Sequence, residues 1–295
     1  MTTLWGIDLG GTKAELAVFD LEELATVILR KRAPTPAAEG PEKILKMISN
    51  LVASAKKELG ATPSKIGICH PGVIDPNTDL LINSNTVCLN GFPFGQELGK
   101  RLDCPLHFAN DANCFALAES KLGAARGAHS VFGVILGTGV GGGVVINGEV
   151  LKGIHGIAGE WGHNPLIEGG DPCFCGRLGC AETVISGPAL ERYFHTSSGH
   201  HLPLAKIAQS KDPQAIETID RLVNYFAKAL GTVINLFDPE IVVVGGGVGN
   251  LDRIYREVPP LLHKFCMHDT VKTKLVAPTL GDSAGVFGAG LLTAG

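Results

Sequence analysis

The sequence predicts an α/β protein of two units, each opened by a strand, a glycine-rich turn and a second strand. Three observations carry this. Short apolar runs flank paired glycines at residues 4–19 and again at residues 131–146, a hairpin signature both times. Helical apolar stripes alternate with short buried-strand runs along the rest of the chain, the pattern of α/β folds. The 295 residues are 45% hydrophobic and 18% charged, which supplies apolar material for two modest cores.

In order, residues 4–8 and 14–19 read as strands joined by Leu9-Gly10-Gly11-Thr12-Lys13. A Pro34-Thr35-Pro36 linker follows. Pro41 then opens a helix with Ile44, Leu45, Ile48, Leu51, Val52 and Leu59 on its apolar stripe. Residues 65–69 form a strand ended by His70-Pro71-Gly72, and residues 73–95 a polar, turn-rich loop. Residues 105–109 are strand-like and lead to Asn110-Asp111, where a helix through Ala112, Cys114, Phe115, Leu117 and Ala118 begins. The pattern then restarts with strand 131–136, glycine turn 137–143 and strand 144–146, which suggests a weak internal duplication. Asp212-Pro213 caps a long helix carrying Ile216, Ile219, Val223, Phe226, Leu230, Val233 and Phe237. Residues 241–244 are a buried strand ending at Gly245-Gly246-Gly247, and Asp282-Ser283 caps a small-residue helix. The expected partition is a smaller lobe of residues 1–111 plus 283–295 and a larger lobe of residues 112–282. A central cleft between the lobes is the expected place for small ligands.

Bulk charge excludes several function classes. The formal net charge is −4 and the longest basic run is Arg30-Lys31-Arg32, so the footprint of a nucleic-acid binder is missing. No apolar stretch is long enough to cross a bilayer. The N-terminal segment lacks the basic n-region and apolar core of a signal peptide. These features predict a cytoplasmic protein with neither nucleic-acid nor membrane partners. In a reducing compartment the eight cysteines are not expected to pair. Cys69, Cys88, Cys104, Cys114 and Cys266 read as small buried hydrophobes, whereas Cys173, Cys175 and Cys180 are clustered.

Four constellations carry chemistry. In Asp8-Leu9-Gly10-Gly11-Thr12-Lys13 the glycines let backbone N–H groups converge on a phosphate, Thr12 and Lys13 add a hydroxyl and a cation, and Asp8 suits a magnesium ion or its waters. A plain Gly-Gly hairpin is the alternative, and the Walker A spacing is absent. Gly137-Thr138-Gly139-Val140-Gly141-Gly142-Gly143 satisfies G-x-G-x-x-G, but strand-like Val144-Val145-Ile146 follows instead of the helix a dinucleotide fold requires. Two phosphate-type turns suit a nucleotide better. Gly245-Gly246-Gly247 is either a flat surface for adenosine or a tight strand-to-helix connection. In Asn110-Asp111-Ala112-Asn113, Asp111 is either a helix N-cap or the base that accepts a proton from an attacking hydroxyl.

The fourth constellation is the most specific. His163, Cys173, Cys175 and Cys180 fall in one Gly/Pro-rich stretch, and one imidazole with three thiolates makes a closed tetrahedral zinc site. A surface disulfide plus a free thiol is the weaker alternative. With no position left for water, such a zinc would order a loop and hold Glu160 and Glu182 in place.

Together these residues resemble the ROK family (repressors, uncharacterised reading frames and sugar kinases) of the actin-like ATPase superfamily. Asp8-x-Gly-Gly-Thr-Lys13 and Gly137-Thr138-Gly139-x-Gly141-Gly142-Gly143 match its phosphate motifs, and Asn110-Asp111-Ala112-Asn113 its catalytic segment. Gly159-Glu160-Trp161-Gly162-His163 followed by Cys173-x-Cys175-Gly176-x-x-Gly179-Cys180-x-Glu182 matches its signature and zinc loop. Cys69-His70 before Pro71-Gly72 departs from the glycine and aliphatic residue more usual in the family.

The resemblance implies a two-lobed actin-like (ribonuclease H-like) α/β fold with a central cleft and a structural zinc loop. It also implies an ATP-dependent hexose kinase using Mg2+ and structural Zn2+. Asp111 would be the general base, and Asn83, Asn110, Glu160, His163 and Glu182 would contact the sugar. His163 would serve zinc with one nitrogen and substrate with the other. Asp8, Gly10, Gly11, Thr12, Lys13, Gly137, Thr138, Gly139, Gly141, Gly142, Gly245, Gly246 and Gly247 would hold the nucleotide. Trp161 and the Asn83-Ser84-Asn85-Thr86 segment look most like fructokinases, implying fructose to fructose 6-phosphate. N-acetylglucosamine kinase or glucokinase is the alternative, and a catalytically silent sugar sensor the reading from another class. A homodimer is the implied assembly.

Overall fold

The computed structural model describes residues 3–20 and 26–294. Met1 and Thr2 of the segment read for a leader, residues 21–25 and Gly295 of the expected smaller lobe lie outside the described residues. β1 (Thr3–Leu9), β2 (Lys13–Asp20) and β3 (Thr26–Pro34) open the chain. Next come α1 (Pro41–Leu59), β4 (Ile66–His70) and the hairpin of β5 (Val73–Ile74) and β6 (Leu81–Ile82). α2 (Phe94–Leu102), β7 (Leu106–Asn110) and α3 (Asp111–Lys121) follow. A second series has β8 (Ser130–Leu136), β9 (Val140–Ile146) and β10 (Glu149–Val150), then α4 (Glu182–Ile185), α5 (Gly187–Ser198), α6 (Leu204–Ile207) and α7 (Pro213–Phe237). β11 (Ile241–Gly245), α8 (Asp252–Glu257), β12 (Lys274–Val276) and α9 (Ala284–Leu291) complete the chain.

The chain forms two compact units, one of Met1–Gly123, Val150–Ala158 and Leu280–Gly295, the other of Ala124–Glu149 and Gly159–Thr279. The first holds a five-stranded sheet of order β3-β2-β1-β4-β7, antiparallel through β3, β2 and β1 and parallel through β1, β4 and β7. Ile44, Leu45, Ile48 and Val52 of α1 bury on one side of it with Ile7, Leu16 and Ile68. α9 packs against β1, β4 and α3, and its small residues explain how closely. A Cβ at Gly67 would overlap the carbonyl oxygen of Ala289, and one at Gly288 that of Cys114, so this helix lies backbone against backbone.

The second unit holds a sheet of order β10-β9-β8-β11-β12, again antiparallel between its first hairpin strands and parallel across β8, β11 and β12. The shared strand order is what an internal duplication predicts. Its core joins Phe132, Trp161, Leu190, Phe226 and Leu230. Asp212 caps α7 by accepting the N–H of Gln214 at 2.8 Å, as its sequence signature requires.

Four expectations need correction. β3 was not predicted, because its charged Arg30, Lys31 and Arg32 mask an edge strand that is mostly exposed. Residues 73–95 contain the β5–β6 hairpin rather than loop alone. Ile216 is 46% exposed, and Ala215 and Thr218 take its place on the buried face of α7. Ser283 has helical backbone and makes no side-chain cap to α9. Among the described residues, no helix is long and apolar enough to cross a membrane.

Candidate active site and metal centre

The predicted site residues fall into two sets, one in each unit. In the first unit Asp8 stands near the end of β1, in register with Cys69 of β4. The turn after it is fastened from below: the Gly10 N–H donates to Lys13 O at 2.9 Å, and the Thr35 hydroxyl donates to Gly10 O at 2.7 Å. Gly11, Thr12 and Lys13 are left exposed, with their upper surface open to a ligand. The loop holding Asn83, itself exposed with φ 56°, brings Thr86 to this turn. Thr86 is 2% exposed and its hydroxyl has no hydrogen-bond partner.

The cap of α3 falls to Asn110 rather than to Asp111. Asn110 is the N-cap of α3, its side chain accepting the Asn113 N–H at 2.8 Å. Asp111 is the first helical residue, accepts the Ala112 N–H at 2.9 Å, and remains open to solvent. The densely packed protein around its accessible face still desolvates the carboxyl and raises it from its ordinary value, partly offset by that N–H. Burial also raises Asp8, the Cys69 thiol lowers it in part, and Asp111 raises it further. Two oxygen-donor carboxylates, the one at Asp111 raising the one at Asp8, fit a hard divalent cation.

His70 ends β4 and is 2% exposed, its ring edge-on to Phe94 and Phe108 at 6.3 and 6.0 Å. Burial pushes its pKa down from 6.5 to about 4. The folded value lies below the unfolded one, so the stability it contributes is present above pH 6.5 and lost as pH falls toward 4. The full effect is about 3 kcal/mol. Denaturant unfolding of wild type and His70→Leu across that window is expected to show a pH-dependent loss in the wild type that the variant lacks.

In the second unit the glycine turn is residues 137–139, closed by a Gly137 N–H to Gly139 O bond of 3.0 Å. β9 follows directly, which removes the dinucleotide-fold alternative. Gly141 and Gly142 lie inside β9, opposite Ile135 and Val134. Packing demands the second of them: a Cβ at Gly142 would lie 2.6 Å from the Trp161 ring and 2.7 Å from Gly159 O. The two glycine runs meet backbone to backbone, with Gly246 against Leu136 and the Gly247 nitrogen 3.6 Å from where a Gly137 Cβ would stand. Thr138 is exposed beside this flat surface. Glu182, the first residue of α4, accepts the Val140 N–H at 2.9 Å, so one carboxylate ties the turn to the cysteine loop.

His163, Cys173, Cys175 and Cys180 converge, with their four donor atoms all within 4.8 Å of one another. Cys173 Sγ is 3.5 Å from His163 Nδ1 and Cys175 Sγ is 3.6 Å from Cys180 Sγ. A tetrahedral zinc with ordinary Zn–S and Zn–N bonds needs ligand separations of roughly 3.5–3.8 Å, so the residues fit the metal. Bridges from Pro165 to Cys180 and from Pro172 to Leu178 shape the loop. His163 Nδ1 faces the thiols while Nε2 lies 4.0 Å from Glu160 Oε2. That gap is too long for a direct hydrogen bond.

Two features had no signal in the sequence as read: the pairing of Cys69 with Asp8, and a pocket lined by His70 and Asn113. The register of parallel strands decides the first, and a cap at Asn110 the second.

A model of the ROK family matches residues 4–295. The chain is 38% identical to an N-acetyl-D-glucosamine kinase of Pectobacterium atrosepticum, over 98% of each chain. It is 36% identical to a protein of the same name from Yersinia pseudotuberculosis, again over 98% of each. Among solved structures, the ROK hexokinase of Thermus thermophilus aligns with a TM-score of 0.89 at 33% identity, covering 99% of this chain and 97% of that one. A ROK family glucokinase of Streptomyces griseus, solved with glucose and AMPPNP, aligns with a TM-score of 0.78 at 27% identity over 98% of each chain.

Proposed function

The chain belongs to the ROK family of sugar kinases, and from that membership we propose that it phosphorylates N-acetyl-D-glucosamine at its primary hydroxyl using MgATP. The observation that carries the choice of sugar is the 38% identity to an N-acetyl-D-glucosamine kinase over 98% of both chains. The fructose expectation rested on the Asn83-Ser84-Asn85-Thr86 segment and on Trp161. That residue is 5% exposed, packs between Phe132 and Phe226, and donates its Nε1–H to Gly141 O, so its ring and N–H are committed to the core.

Asn83, Asn110, Glu160, His163 and Glu182 hold the sugar in this reading. The turns at Gly10–Lys13 and Gly137–Gly139 hold the phosphates with Thr12, Lys13 and Thr138, and Gly245–Gly247 faces the adenosine. Asp111 takes the proton of the primary hydroxyl as its oxygen attacks the γ-phosphorus in line and ADP leaves. Mg2+ bound at Asp8 would supply charge neutralisation on the phosphates. Zn2+ held by His163, Cys173, Cys175 and Cys180 is closed to substrate and would only keep His163 Nε2 aimed at the sugar.

Comparing kcat/KM for N-acetyl-D-glucosamine, glucose, mannose and fructose tests the reading. N-acetyl-D-glucosamine is expected to lead, and a lead for fructose would reinstate the first expectation. The Cys69 thiol lowers Asp8, so Cys69→Ala is expected to move the acidic limb of the kcat/KM profile to higher pH, with Cys69→Ser restoring it. A homodimer is part of the proposal, and light scattering of the purified protein tests it.

A further inference from the structure

We propose that the pocket beside β7 is a subsite that reads the acetamido group of the sugar, with His70 and Asn113 as its hydrogen-bonding walls. This rests on the sugar-kinase reading above and specifies how one sugar is chosen. The pocket has a volume of about 540 Å³ and lies wholly within the first unit. Asn110, immediately before Asp111, is one of its lining residues. The pocket therefore adjoins the segment that carries the base.

Its chemistry is specific. Asn113 is 5% exposed, and its Oδ1 is buried without a hydrogen-bond partner. A native protein rarely leaves such an acceptor unsatisfied, and a ligand donor would satisfy it. His70 is 2% exposed, with Nδ1 3.3 Å from Pro71 O. That contact puts the ring proton on Nδ1 and leaves Nε2 as a second acceptor, while burial and the Lys152 charge keep the ring neutral. Lys152 supplies a cation, and Val73, Ile74 and Phe108 supply apolar wall. A ligand group fitting this set has an N–H donor, a carbonyl acceptor and a small apolar end. An acetamido group has all three. A phosphate or carboxylate would meet two acceptor atoms and is disfavoured. A bare hydroxyl leaves the apolar wall uncovered.

The test is isothermal titration of the full chain, zinc-replete, with N-acetyl-D-glucosamine and with glucose. His70→Leu and Asn113→Leu are compared in both binding and turnover. Each variant is expected to lower the N-acetyl-D-glucosamine-to-glucose ratio of affinities, and of kcat/KM, by about tenfold or more, as loss of a dedicated hydrogen bond does. Equal losses for both sugars, or an unchanged ratio, overturn the subsite. Should a variant fold poorly, transferred nuclear Overhauser effects in wild type decide: contact between the acetyl methyl and the Phe108 ring is expected, and its absence overturns the proposal. Binding without phosphoryl transfer would sink the kinase reading and leave the subsite standing. Turnover of glucose without binding of N-acetyl-D-glucosamine would do the reverse.

Discussion

Asp111→Asn is expected to lower kcat by about 10²–10⁴-fold, the range a positioned general base contributes, while sugar binding changes little. The substitution keeps size and removes only the proton acceptor. Asn110 already caps α3 through the Asn113 N–H, so helix stability does not depend on Asp111. The expected melting temperature is therefore close to wild type. Burial raises the Asp111 carboxyl, so kcat is expected to fall below an acidic limb shifted upward from the ordinary carboxylate value as the base becomes protonated. A variant that melts much earlier and no longer binds sugar would return Asp111 to a structural role.

Cys180→Ser is expected to cost less than this, by a different route. Cys180 is fully buried and pairs with Pro165 at the base of the loop. Its neighbour Ala181 donates to Asn164 O at 2.9 Å, and α4 begins at Glu182. Losing one of four ligands should release the metal and disorder the segment that carries His163 and Glu182. Activity is expected to fall by about 10–100-fold or more, together with loss of about one zinc per chain. Metal analysis beside limited proteolysis between residues 163 and 180 reads both effects. Full activity in metal-free protein would remove the metal from the account.

Much of this was legible because the responsible residues carry local signals. Paired glycines between apolar runs marked both hairpins, and three cysteines with a histidine marked the cluster whose donor atoms converge within 4.8 Å. Asp111 was ambiguous in sequence because an Asp at a helix start reads as its cap, and only the exact helix start gives that place to Asn110. β3 was hidden by the charges of an edge strand. Ser283 looked like a cap, but helical backbone before α9 turns it away from that role. The pocket was invisible because strand pairing of His70 with Asn110 brings distant segments together. The choice of sugar was the least legible feature, since of the two segments used to infer it, Trp161 is committed to the core.

The account's central claim is sugar-dependent phosphoryl transfer from ATP through Asp111. The measurement that tests it most directly is ADP release by zinc-replete protein with MgATP, with and without N-acetyl-D-glucosamine, glucose, mannose or fructose, in wild type and Asp111→Asn. ADP release that requires a hexose, yields a sugar 6-phosphate by 31P NMR and vanishes in the variant is the predicted result. No hexose-dependent release from the wild type, or equal release from the variant, would contradict it.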